Sequence, residues 1–145
     1  MYKHILIATD GSAAAEKAVD QGLALANALG ARATAVVVTE PWAAMVPGEM
    51  AISFPVDDYE KGVAAHARLI LDGVVQRAAD KGVACETLHV KDEYPAEGII
   101  NTAKELGCDL VVVSSHGRRG LARLLLGSQT HKVVSLSGVS VLVCR

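Results

Sequence analysis

Five short runs of aliphatic and β-branched residues recur along the chain, and the stretches between most of them carry a helical pattern. The runs are residues 3–9 (KHILIAT), 33–39 (ATAVVVT), 83–90 (VACETLHV), the stretch opening at Asp109 (DLVVVS) and 139–144 (VSVLVC). A strand apolar at successive positions, rather than at alternate ones, is buried on both faces, which is the pattern of a parallel sheet covered by helices. Between the first two runs, Ala18, Gly22, Leu25, Ala26 and Leu29 fall on one helical face. From Asp57 a long helix carries the stripe Val63, Ala67, Ile70, Leu71, Val74 and Ala78, with Asp57 and Asp58 favourable to its N-terminal dipole. A third helix opens at Pro95 and a short fourth spans 128–137, and Gly30, Gly82, Gly107 and Gly138 stand as stop signals. The order β-α-β-α-β-α-β-α-β predicts one α/β domain over residues 1–145, an open parallel sheet with helices on both faces.

The segment 40–55 breaks this rhythm. It holds Pro41, Pro47 and Pro55 among Trp42, Met45, Met50, Ile52 and Phe54, an unusually apolar loop that suits a lid, an interface, or a fold-back over the core edge. Trp42 is expected to pack there.

Composition narrows the classes. Aromatics are 3% of the residues, so the core is built from Val, Ile, Leu and Ala, and a nucleic-acid surface of stacked aromatics is not expected. No apolar run approaches the about 20 residues of a membrane span, and the opening MYKHILIATDGS lacks a signal-peptide layout. Cys85, Cys108 and Cys144 are odd in number and widely spaced, reading as buried thiols of a reducing, cytoplasmic setting rather than disulfides or a zinc site. Every acid lies at or before Asp109, so residues 1–109 carry a net −7 and residues 110–145 a net +5. That is too little charge for general nucleic-acid binding, and a better match to a compact anion.

Chemistry concentrates at two strand exits. After the first strand comes Asp10-Gly11-Ser12, a turn with a helix cap. After the fourth come Gly117, Gly120 and Gly127 among Arg118, Arg119 and Arg123, and then Ser128, placed to cap the last helix. A strand, a small basic loop and a helix start make an anion site, because the N–H groups of the first turn point at the ligand and glycine lets it approach. Ligands of open parallel sheets sit beyond the carboxyl ends of the strands, where the strand order reverses. If the first and fourth strands are neighbours, both exits border one crevice and the order is 3-2-1-4-5. There is no G-x-G-x-x-G after the first strand, no P-loop, no G-x-S-x-G elbow and no H-E-x-x-H. His116 has no second His or Cys near it in sequence, which favours a loop-structuring role.

At these residues the chain resembles the universal stress protein family, whose nucleotide motif G-x2-G-x9-G-[ST] follows the fourth strand. The matching stretch is Ser114-Ser115-His116-Gly117, nine residues, then Gly127-Ser128, with Ser114 in place of the first glycine. The opening KHILIATDGS, the strand order and the closing VSVLVCR extend the likeness over the whole chain. The resemblance implies a Rossmann-like sheet ordered 3-2-1-4-5 and, in one branch, ATP binding with magnesium or manganese on the phosphates. It assigns Asp10 to the nucleotide, the backbone near Val38 and Thr39 to adenine, and Gly117, Gly127 and Ser128 to the phosphates. Thr9, Ser114, His116, Arg118, Gly120, Gln129 and Thr130 complete the expected site. It implies homodimers paired through the last strand, where Val139, Val141, Leu142 and Val143 would otherwise form a sticky edge. The expected role is a cytoplasmic sensor or switch with slow or no hydrolysis, in which binding orders the loop 115–126. A slow ATPase or nucleotidyl-transfer enzyme, and an interaction module that binds no nucleotide, are the alternatives.

Overall fold

A computed structural model describes residues 1–117 and 126–145. The five strands are β1 (His4–Ala8), β2 (Arg32–Val38), β3 (Cys85–Val90), β4 (Leu110–Ser114) and β5 (Ser140–Cys144). They form one all-parallel sheet in the order β3-β2-β1-β4-β5, as the two strand exits predict. The central strand β1 pairs Ile5 with Ala33 on one side and with Leu110 on the other.

Helices α1 (Ala13–Leu29) and α3 (Val56–Asp80) cover one face, and α4 (Pro95–Glu105) and α5 (Ser128–Leu136) the other. Alternation along each strand divides the core accordingly. Ile5, Ile7, Ala35 and Val112 meet Leu23, Ala26, Leu71 and Val74, whereas Leu6, Val36 and Val111 meet Ala96, Ile99 and Val133. Ile5, Leu6, Ile7, Val111 and Val112 have no exposed surface, and burying each side chain contributes about 1.5–3 kcal/mol. Ser12 caps α1 by accepting from the Ala15 N–H at 3.2 Å, as expected. No helix among the described residues is long and apolar enough to cross a membrane.

Three expectations change. Ser128 does not cap α5: Gly127 occupies that position in extended backbone, its carbonyl already accepting from the His131 N–H, and Ser128 is the first helical residue. Strand β3 is not buried on both faces, since it is an edge with Glu86, Thr87 and Leu88 exposed, and it begins at Cys85 rather than Val83 because the Val83 N–H still donates to the Ala78 carbonyl of α3 at 2.9 Å. The segment 40–55 is not patternless. It holds a one-turn helix, α2 (Trp42–Met45), and a 3-10 turn (Gly48–Met50). Trp42 Nε1 donates to the Phe54 carbonyl at 3.0 Å, and the rings of Phe54 and Tyr59 meet edge to face. Cys108 and Cys144 are buried, Cys85 is partly so, and none is in a disulfide. Burial pushes the Cys108 thiol up to about 11, as suits packing rather than reaction.

Candidate functional site

Strand order reverses between β1 and β4, and the carboxyl ends of β1, β2 and β4 open onto a cavity of about 470 Å³. Its floor is the strand ends, Ala8, Val36, Val37, Val38 and Val113. The β1 exit forms one wall. Thr9 continues the sheet by donating its N–H to the Val36 carbonyl at 3.0 Å, and its Oγ1 accepts from the Gly11 N–H at 3.2 Å. Asp10 Oδ1 accepts from the Ser12 N–H at 2.9 Å, a turn closed by its own side chain. Gly11 takes a φ of +79° and faces Ile70 of α3 so closely that a Cβ would lie 2.8 Å from Ile70 Cδ1. Any other residue would meet both a backbone and a packing penalty there.

The β4 exit forms the opposite wall. Ser114 Oγ donates to the His116 carbonyl at 2.7 Å, and Ser115 Oγ and His116 Nδ1 lie 2.9 Å apart. The Gly127 N–H donates to the Ser115 carbonyl at 2.7 Å, so the two ends of the glycine-rich stretch are joined. Both glycines are close approaches. A Cβ on Gly127 would lie 3.3 Å from the Ser115 carbonyl oxygen, and one on Gly117 would lie 3.1 Å from Asp10 Oδ2. The Asp10 carboxylate therefore faces the glycine stretch across the crevice.

Helix α5 then starts with no side chain capping it, so its first-turn N–H groups lack the acceptor a Ser or Asp would supply. Thr130 Oγ1 donates to the Ser114 carbonyl at 2.8 Å, and Gln129 Oε1 accepts from the Ala96 N–H at 3.1 Å. These two side chains fasten α5 to β4 and α4.

Of the expected site residues, Thr9, Asp10, Val38, Thr39, Ser114, Gly117, Gly127, Ser128, Gln129 and Thr130 all line this cavity. His116 is not among its lining residues. Arg118 and Gly120, with Arg119 and Arg123, lie outside the described residues. Trp42 does not line the cavity, whereas Glu40 and Met45 from the same segment do.

Sequence reading missed the third wall, Tyr59, Val63, His66 and Ile70 of α3. The signal was length. Helix α3 has 25 residues, about 37 Å, against strands of 5 to 7 residues, at most about 23 Å, so one end must overhang the sheet. The Tyr59 hydroxyl donates to the Glu40 carbonyl at 2.7 Å, pinning that overhang to the β2 exit. Burial, with Glu40 and Asp92 nearby, raises the phenol's pKa and keeps it a donor.

This is a doubly wound α/β protein whose candidate site lies at the topological switch point, built from two strand exits and a helix start. It belongs to the universal stress protein family, whose model matches residues 1–145. Universal stress protein YxiE of Bacillus subtilis is 36% identical over 154 aligned residues, covering the whole of both chains. Among solved structures, the universal stress protein UspA from Lactobacillus plantarum superposes with a TM-score of 0.86 at 26% identity, covering 99% of this chain and 98% of its own. A universal stress protein solved in complex with cAMP gives 0.74 at 27% identity, covering 99% and 97%.

Proposed function

We propose that the crevice binds an adenine nucleotide, with ATP the expected ligand, and that the protein is a nucleotide-responsive sensor rather than an enzyme built for turnover. The observation that carries this reading is convergence. The Asp10 turn, both ends of the glycine stretch and the uncapped start of α5 border one cavity at the switch point. A helix start without a side-chain cap suits a phosphate, and Gly117 and Gly127 leave room that a Cβ would fill. The family member solved with cAMP supports the adenine part of the reading. In this arrangement the base lies toward Val38 and Thr39 and the phosphates toward Gly117, Gly127 and Ser128. The described residues hold no group of three His, Cys, Asp or Glu able to grip a metal. Magnesium or manganese would therefore ride on the phosphates, with Asp10 the acid facing them. Titrating ATP with magnesium by calorimetry tests the proposal. Micromolar binding that disappears in Gly127→Val supports it, and no heat or thermal shift at millimolar ATP overturns it.

A second feature favours a homodimer. Strand β5 ends the sheet with Leu142 37% exposed and Val141 and Val143 partly so, and an apolar edge is stable when it pairs with its twin across a two-fold axis. Sedimentation should show a dimer that Leu142→Lys turns into a monomer, and a monomeric parent protein would refute the pairing. The three unpaired thiols agree with a cytoplasmic location.

A further inference from the structure

We propose that Thr39 and His89 form a base-reading pair at the adenine end of the crevice, in which His89 sets whether the Thr39 hydroxyl meets the purine 6-position as acceptor or as donor. The inference rests on the nucleotide reading above and adds a specificity residue and its positioning partner. Thr39 lines the cavity just past β2. Its backbone is already committed, the N–H donating to the Val90 carbonyl at 2.9 Å and the carbonyl accepting from the Glu93 N–H at 3.3 Å. The carbonyl keeps one lone pair, and the hydroxyl is the residue's remaining polar group; it lies 2.8 Å from His89 Nε2, fifty residues away on β3.

A neutral imidazole nitrogen can accept, and when Nε2 takes the Thr39 proton the hydroxyl shows its lone pairs to the cavity. That arrangement suits the 6-amino group of adenine. A protonated imidazole can only donate, which takes one hydroxyl lone pair and frees the hydroxyl's own proton to turn toward the ligand, as suits the 6-keto group of hypoxanthine. Burial, with Lys91 adding to it, lowers the His89 pKa, so the acceptor arrangement is open at neutral pH. The surrounding charges are Lys91 at the strand's exit, Asp92 and Glu93 in the next turn, and Glu40 after Thr39. From α3, which packs on β3, come His66 on the wall of the same cavity, Asp57, Glu60 and Lys61 beside Lys91, and the Tyr59 hydroxyl bound to the Glu40 carbonyl.

The test measures Kd for ADP and for inosine diphosphate between about pH 8 and about pH 5, spanning the ordinary histidine range. Phosphate titration is common to both ligands and cancels in the ratio. The preference for ADP should fall by about threefold to tenfold toward acid, the worth of one hydrogen bond. Thr39→Val and His89→Gln should flatten that dependence while still binding nucleotide, and Thr39→Ser should restore it. A parent ratio that does not change with pH, or the same slope in Thr39→Val, overturns the pair and leaves nucleotide binding standing. If neither ligand binds the parent protein at about pH 8, the nucleotide reading fails and takes this one with it.

Discussion

The two ends of the sheet use the same kinds of hydrogen bond over very different spans of chain. At the amino end the bonds are long-range. Asp109 accepts from the backbone N–H groups of Lys3 at 2.9 Å and His4 at 3.1 Å, and its own N–H donates to the His4 carbonyl at 3.0 Å. The Arg32 N–H donates to the Lys3 carbonyl at 3.1 Å, and His4 Nε2 lies 2.8 Å from Thr34 Oγ1. The starts of three strands, β1, β2 and β4, or their approaches are laced together. At the carboxyl end the side chains of the β1 and β4 exits close on their own turns, Thr9 to Gly11, Asp10 to Ser12 and Ser114 to His116, and the longer-range bonds come from Thr39, Tyr59, Gln129 and Thr130 around them. Turns that satisfy themselves need nothing from the strand beside them, so the space between β1 and β4 can stay open for a ligand. The amino end should therefore govern stability and the carboxyl end binding, and substitutions can separate the two.

The largest expected effect is at the open end. Gly127→Val pushes a branched side chain toward the Ser115 carbonyl and into the cradle. Nucleotide affinity should drop at least about 100-fold, or about 2.7 kcal/mol, while the melting temperature falls by only about 2–4 °C. Calorimetry and a thermal melt on the same sample separate these quantities. Asp109→Ala is the mirror experiment. It removes the acceptor of two backbone N–H groups at a partly exposed site, so urea unfolding should show a loss of about 1–2 kcal/mol with nucleotide affinity unchanged. An affinity loss in Asp109→Ala as large as that of Gly127→Val would break the division.

A smaller effect sets one end against the other through pH. Burial, reinforced by Arg32, lowers the pKa of His4 against the opposing pull of the Leu106 backbone, Glu86 and Asp109. A depressed folded pKa means that the contribution is fully present above the unfolded value of about 6.5 and is lost as pH falls through the folded value. His89 carries the same sign but keeps more of its surface exposed than His4. The urea midpoint should decline from about pH 7 to about pH 5, and His4→Phe should remove more of that decline than His89→Gln. The reverse order would place the acid-sensitive element at the ligand end. Asp109 acts in a lower window. Burial opposes its ionisation, but the N–H groups of Lys3 and His4 outweigh it and hold the pKa below the usual carboxylate range. Its contribution is lost only as pH falls through that lowered value.

The same contrast explains what the sequence made legible. The strands announce themselves as VVV and ILI runs, the Asp10 turn shows because its bonds span only a few residues, and the glycine stretch shows through its residue types alone. Contacts at long separation leave no local trace. Nothing in the spacing of His4 and Thr34, or of Thr39 and His89, marks them as partners, since strand register alone brings them together. The α3 wall was hidden differently. Val63, Ala67 and Ile70 read correctly as an apolar stripe, but periodicity reports burial without saying whether a core or a cavity lies opposite. Ser128 misled because Gly127 adopts the capping conformation with no side chain to reveal it.

Ser114→Gly is the smallest effect and the sharpest test of how local the open end is. Ser114 stands where the family motif has its first glycine, yet it is the last residue of β4, and Asp92 is the one described non-glycine residue with positive φ. Its backbone therefore needs no glycine-only conformation, and its hydroxyl adds a bond to the His116 carbonyl instead. Replacing it with glycine should leave nucleotide affinity within about threefold, less than one hydrogen bond can be worth. Stability should drop by about 1 kcal/mol, from the lost bond and the freer unfolded chain. Calorimetry with a parallel urea melt reads both. A tenfold gain in affinity would mean that the serine side chain obstructs the crevice, and that its bond to His116 reaches beyond its own turn.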